Sequence, residues 1–188
     1  QGMPPKSGTV QYYDTSCDGT WLLSKKTIGS LTNYQWYSNP GNPFGTYYNT
    51  IETAIKDQIK QVKIPYTKAT SDWAYPHSGS DGYSTKVFSL SAYELGGQGG
   101  TSNSTKLGYF ESGNDSASAK AKRIPSDSKR YWTRSPSYNE ESYLGGSAAD
   151  VSETGVCSTV QTSGAAAVAA YLRPAMILPK TLMGDDNG

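Results

Sequence analysis

Apolar positions recur at helical spacing in one stretch of the chain. Ile51, Ala54, Ile55, Ile59 and Val62 share a face, which predicts an amphipathic helix over residues 49–62. Asn49 and Glu52 have the spacing of a capping box at its start, and Glu52 and Lys56 make a favourable i,i+4 pair on its outer side. Pro65 prevents continuation. Elsewhere, short apolar or aromatic runs between turn-forming residues predict strands. Val10-Gln11-Tyr12-Tyr13 and Trp21-Leu22-Leu23-Ser24 flank the turn dipeptide Asp18-Gly19, so a β-hairpin is expected there. Lys86-Val87-Phe88-Ser89-Leu90 reads as a buried strand, after which Ser91 caps a short helix over 92–95. A second short helix is expected over 114–123, capped by Asn114 or Asp115 and ended before Pro125. Residues 147–151 and 155–160 flank Ser152-Glu153-Thr154 as a hairpin, and 166–172 and 175–178 supply the last β segments. Residues 30–48, 68–85 and 96–106 carry no period and read as loops.

These elements are arranged around Tyr131-Trp132-Thr133-Arg134-Ser135-Pro136 and its echo, Tyr171-Leu172-Arg173-Pro174-Ala175-Met176-Ile177-Leu178-Pro179. Each is a β-forming run with one arginine, closed by a proline. A guanidinium among β-formers is costly to bury unless a carboxylate or backbone carbonyls receive its fork. The expectation is therefore structural: Trp132, Arg134 and Arg173 pin a loop-rich β core.

Composition narrows the picture. The 188 residues suit one domain over 9–182, with an arm at 1–8 and a tail at 183–188. Hydrophobic residues are 35%, but 12% are aromatic, with 15 tyrosines, so a core is available while much of the chain must be loop. A net charge of +1 supplies no field to steer a polyanion, so nucleic acid is not an expected partner. Lys120, Lys122, Arg123, Lys129 and Arg130 read as a solvated basic face. Cys17 and Cys157 match no metal spacing; free, partly buried thiols are expected, with a pairing left open should the first and the late hairpin be neighbours. No apolar run is long enough to cross a membrane. The chain opens on Gln1 without a signal-peptide pattern, so exit from its cell would take another route, such as lysis.

The ordered set of motifs resembles a known family. It comprises the apolar strand at 21–24, the amphipathic helix, Val87-Phe88-Ser89-Leu90-Ser91 leading into a helix, Tyr131-Trp132-Thr133-Arg134-Ser135-Pro136, a glycine-bearing hairpin, and Leu172-Arg173-Pro174-Ala175. This is similar to the DUF6273 type of domain, frequent in Gram-positive gut bacteria and their phages, whose pattern runs VFLLS, WWLRSP, then VRPALWL. The chain departs from it at Tyr131, Thr133 and Met176-Ile177, all conservative changes in a core. The resemblance implies an α+β, C-type-lectin-like fold: loop-rich antiparallel sheets with one main amphipathic helix and one or two short helices. It also implies a place on a virion surface or outside the cell.

The search for catalytic motifs is negative: no nucleophile elbow, His-Glu-x-x-His, phosphate-binding glycine loop or CxxC occurs. The formylglycine-generating relatives of the lectin-like folds need closely disposed cysteines, which Cys17 and Cys157 do not provide. Sugar-binding lectins hold calcium with tripeptides that this chain lacks; Asp14, Asp18 and the pair Glu140 and Glu141 could bind a hard cation, but no EF-type spacing supports it, so no cofactor is expected and calcium is left open. His77, the single histidine, has no partner motif that would make it a general base. Tyrosine, tryptophan and asparagine in loops bring rigid contact area and adaptable hydrogen bonds. The expected ligand-binding residues are thus Trp73, Tyr75, Tyr83, Tyr138, Asn139, Glu140 and Tyr143, in loops 73–83 and 137–146. Three functions compete. The first is a non-enzymatic phage module on a tail fibre, baseplate or capsid that binds a host cell-surface glycan or protein. The second is a decoration or assembly domain contacting other virion subunits, with homo-oligomerisation left open. The third is a cell-wall enzyme, for which Glu140, Glu141 and Asp150 are the only clustered late carboxylates.

Overall fold

The computed structural model describes residues 13–32, 44–64, 83–97, 107–110, 116–137, 147–158 and 169–180. Their elements, in chain order, are a 3-10 turn Thr15–Cys17, β1 (Thr20–Leu23), β2 (Ile28–Thr32), α1 (Gly45–Thr50), α2 (Thr53–Lys56), β3 (Val62–Ile64) and β4 (Tyr83–Thr85). A 3-10 turn Gly108–Phe110, α3 (Ala117–Arg123), β5 (Tyr131–Ser137), β6 (Ser147–Val151), β7 (Cys157–Ser158), β8 (Ala169–Leu172) and β9 (Ala175–Leu178) follow. The architecture is mixed, with several small sheets and few helices, as an α+β reading requires.

A five-stranded sheet runs in the order β2-β8-β5-β6-β7. All its pairs are antiparallel except β5 with β8, where Tyr131 faces Tyr171 and Trp132 faces Leu172. The two arginine-bearing runs predicted from sequence thus lie side by side. The hairpin predicted over 147–160 forms as β6 and β7, with Val151 opposite Cys157. Gly155 takes φ +78° in its turn, a left-handed value that a side chain disfavours.

Of the first expected hairpin, the second strand is described. β1 exists, but its partner is β9, with Trp21 opposite Ile177 and Leu23 opposite Ala175. Residues 10–12 lie outside the described region. Ahead of β1, Asp14 caps the 3-10 turn by accepting the Ser16 amide at 2.8 Å. Gly19 is a point of close approach, because a Cβ on it would stand 2.3 Å from the Leu178 carbonyl oxygen.

The single helix over 49–62 is also corrected. Helix α1 begins at Gly45, Ile51 and Glu52 are extended, α2 spans one turn, and Val62 belongs to β3. The expected Asn49 cap falls inside α1. Tertiary burial explains the break. Tyr47, Tyr48, Ile51 and Ile59 must all reach Met176 and Leu178 of β9. A continuous helix would also point Ile55 inward, whereas it is 46% exposed. Short helices of β-branched and aromatic residues have little intrinsic stability to resist this. Lys60 then donates its backbone N–H to Ile177 at 2.9 Å, laying the chain along β9.

Two smaller corrections follow. The run 86–90 is not a full strand; Phe88 forms one antiparallel bridge to Ala175. Helix α3 is capped by Ser116, whose hydroxyl accepts the Ala119 amide at 3.1 Å, and not by Asn114 or Asp115. The main core gathers Tyr13, Cys17, Val62, Ile64, Phe88, Leu90, Leu95, Phe110, Tyr131, Val151 and Ile177. A second cluster packs Trp132 with Phe44, Val87, Ala170 and Leu172.

Candidate functional site

The strongest concentration of buried polar chemistry forms where β5 meets the turn at 91–96. Ser91 and Glu94 close a reciprocal capping box: the Ser91 hydroxyl accepts the Glu94 amide at 3.0 Å, and Glu94 Oε2 accepts the Ser91 amide at 2.9 Å. Glu94 is 0% exposed. Its Oε2 also receives Arg134 Nη1 at 2.6 Å, while Oε1 receives Arg134 Nη2 and the Tyr13 hydroxyl, the latter at 2.6 Å. Four donors fill the lone-pair positions of an ionised carboxylate. Burial opposes the charge on Arg134, but Glu94 outweighs it and raises the guanidinium above its ordinary range.

The backbone accommodates this pair. The β5–β6 register slips between Trp132 and Pro136, and within that gap Arg134 sends its N–H to Leu90 O at 3.1 Å. Thr133 repairs part of the ladder by donating its hydroxyl to Ala149 O at 2.7 Å. Arg134 Nη1 also reaches Ser89 O at 2.9 Å. A bulge that re-aims a side chain inward is a known use of such irregularities.

A second network lies beside it. Arg173 donates Nε to Ser24 O at 2.8 Å and Nη1 to Arg123 O at 2.6 Å. Tyr131 donates its hydroxyl to the same Arg123 oxygen at 3.0 Å, and burial pushes that phenol up to about 12. Arg123 is itself fully buried, which removes it from the solvated basic face expected from sequence. Its guanidinium donates to Leu95 O at 2.8 Å, Gly96 O at 2.9 Å and Gly155 O at 3.2 Å. Arg134 therefore has a carboxylate partner, while Arg123 and Arg173 are held by carbonyl dipoles.

Two further ionisable groups border the core. Burial pushes the Cys17 thiol up to about 11, and its Sγ donates to Lys63 O at 3.2 Å. Cys17 and Cys157 are not joined in a disulfide; Cys17 is buried and Cys157 half-buried. Asp150 is buried and raised by desolvation, with Arg130 Nη1 at 3.4 Å moderating the shift.

Of the sequence-predicted residues, Trp132, Arg134 and Arg173 are buried. Trp73, Tyr75, Tyr138, Asn139, Glu140 and Tyr143, with Glu141, lie outside the described residues. Tyr83 opens β4 opposite Ile64. Among the described residues no group of three or more His, Cys, Asp or Glu could hold a metal ion. Glu94, Tyr13 and the structural role of Arg123 were not anticipated. The Ser91-x-x-Glu94 spacing was the available signal for the first.

These features define a class: a mixed α+β domain of small sheets whose core is fastened by three buried arginines. The sequence profile of the domain of unknown function DUF6273 matches residues 9–180, and the chain belongs to that family. No curated protein and no solved structure matches it.

Proposed function

We propose that this domain is a non-enzymatic surface module of a phage virion, on a tail fibre, baseplate or capsid. In this reading it holds a host cell-surface glycan or protein with loops mounted on a C-type-lectin-like body. The supporting observation is the way two segments are closed by paired strand ends. Ile64 faces Tyr83 across β3 and β4, and Ser137 faces Ser147 across β5 and β6. The residues that flank segments 65–82 and 138–146 are thus paired neighbours, which suits the use of those segments for contact. They carry Trp73, Tyr75, Tyr138, Asn139, Glu140 and Tyr143, residue types suited to contact surfaces. The ladder at 137–147 belongs to the same sheet that the Arg134 and Arg173 networks hold, a rigid base of the kind recognition loops need.

The test is retention of purified protein on cell walls of Gram-positive bacteria and on a glycan array. Wild type is expected to bind at least one surface, and Trp73→Ala with Tyr143→Ala to lose binding without loss of unfolding stability. No retention on any surface, with copurification on another virion subunit, would overturn attachment in favour of an assembly role.

A further inference from the structure

Strand β1 pairs with β9 alone, and its outer edge is bare among the described residues. Ser24 donates its amide to Pro174 O at 2.8 Å, which makes these two a hydrogen-bonded pair and sets the alternation along the ladder. Trp21 opposite Ile177 and Leu23 opposite Ala175 are therefore pairs of the other kind, whose amides and carbonyls point away from each other. On β9 these outward groups are used. Ala175 exchanges bonds with Phe88 at 2.7 and 3.0 Å, and Ile177 O accepts the Lys60 amide at 2.9 Å. On β1 the outward amides and carbonyls of Trp21 and Leu23 meet no described partner.

Both faces of this edge are apolar. Trp21 and Leu23 pack against the main core on one side and Leu22 against Ile59, Met176 and Leu178 on the other, yet all three stay only half-buried. An added strand would continue both layers. Proteins commonly blunt a bare edge with a charge, a proline or a bulge inside the strand, and Thr-Trp-Leu-Leu has none of these. The charges lie just beyond its ends. Lys25 and Lys26 follow the strand, exposed and without a carboxylate partner among the described residues. Asp18 precedes it; its carbonyl oxygen accepts the Lys60 ammonium, while its carboxylate has no described partner.

We infer that β1 pairs with β1 of a second copy of this chain, antiparallel and about a two-fold axis, so that the two β1–β9 ribbons join into one sheet. Trp21 of each copy faces Leu23 of the other, and every outward amide and carbonyl of the two strands finds its complement. The antiparallel direction also sets the Asp18 end of each strand against the Lys25–Lys26 end of the other, where opposite charges meet. The edge is thus its own complement in hydrogen bonding and in charge, which favours a second copy over a foreign strand. Such a contact closes at two copies.

The experiment is sedimentation equilibrium on the whole chain from about 10 µM to about 1 mM, a range that reads weak association, with amide hydrogen exchange followed at both ends of it. A short edge buries little surface, so a weak, concentration-dependent dimer is expected. The Trp21 and Leu23 amides should exchange freely in dilute protein and slow as the dimer forms, while the Leu22 amide, directed at β9, stays protected throughout. Lys25→Glu with Lys26→Glu is expected to weaken the dimer about tenfold or more, since attractions at both ends become repulsions, with the urea midpoint of the monomer unchanged. Adding Asp18→Lys to that variant should restore most of the affinity. The inference is overturned if the protein stays monomeric across the whole range or if the Trp21 and Leu23 amides are already protected in dilute protein. A dimer whose strength ignores the charge exchange, or in which those two amides keep exchanging, overturns it as well.

Discussion

Removing one partner of the Glu94–Arg134 pair is the sharpest test of how the core is held. Arg134→Met leaves the Glu94 carboxylate fully buried with only the Tyr13 hydroxyl and the Ser91 amide as donors. Glu94→Met leaves a buried guanidinium without its carboxylate, with the Ser89 carbonyl still accepting from it. Stranding one charge of a buried pair costs about 3–5 kcal/mol. Against a typical domain stability of about 5–15 kcal/mol, that is a large fraction of the total. The double variant Glu94→Met with Arg134→Met removes both charges at similar volume. It is expected to be less destabilised than the two single losses added together, with a coupling of about 2 kcal/mol or more. Urea unfolding midpoints at pH 7 give the four corners of the cycle, with equal slopes required for comparison. The coupling should barely change between about 0.05 and about 0.5 M salt, because a pair out of contact with water is poorly screened. Single variants within about 1 kcal/mol of wild type, or a double variant equal to their sum, would refute a central role for the pair.

Other predictions address the periphery of this core. Below pH 9 the Cys17 thiol is protonated in both folded and unfolded states. As pH rises towards about 11 only the unfolded chain ionises, so wild type should lose about 3 kcal/mol across that window. Cys17→Ala should flatten the part of this loss between pH 9 and 10, before the Tyr131 phenol contributes, and an unchanged slope in urea melts would count against the thiol. Gly155→Ala should destabilise strongly, since φ is +78° and a Cβ would stand 2.2 Å from Lys120 O; a thermal midpoint equal to wild type would contradict the packing of the β6–β7 turn on α3. Ser116→Ala should cost about 1 kcal/mol while Asn114→Ala and Asp115→Ala cost less, read from the same urea midpoints. The reverse ranking would restore the cap expected from sequence.

Part of this molecule was legible in the order of its residues. The β6–β7 hairpin was readable because its turn and both strands are local in sequence. The buried state of Arg134 and Arg173 followed from β-forming neighbours, and the need for acceptors followed from the cost of an unpaired guanidinium. Which groups would serve could not be read. Glu94 stands forty residues before Arg134, and the Ser24 carbonyl is contributed to Arg173 from near the opposite end of the chain. Strand pairing was equally hidden, because β1 is a short apolar run that any apolar strand could pair with; in the fold it pairs with β9 while Trp21 packs edge-on against Phe88. Local periodicity argued for one helix over 49–62, yet the demand that Tyr47, Ile51 and Ile59 converge on β9 outweighed the weak propensity of that stretch. The sequence by itself therefore marked Trp132, Arg134 and Arg173 as inside and showed what burying an arginine would require, but not that Arg123 and Glu94 would join them. The tertiary structure alone decided which distant atoms met those requirements, since a hydrogen-bond partner is chosen by position in space and not by distance along the chain.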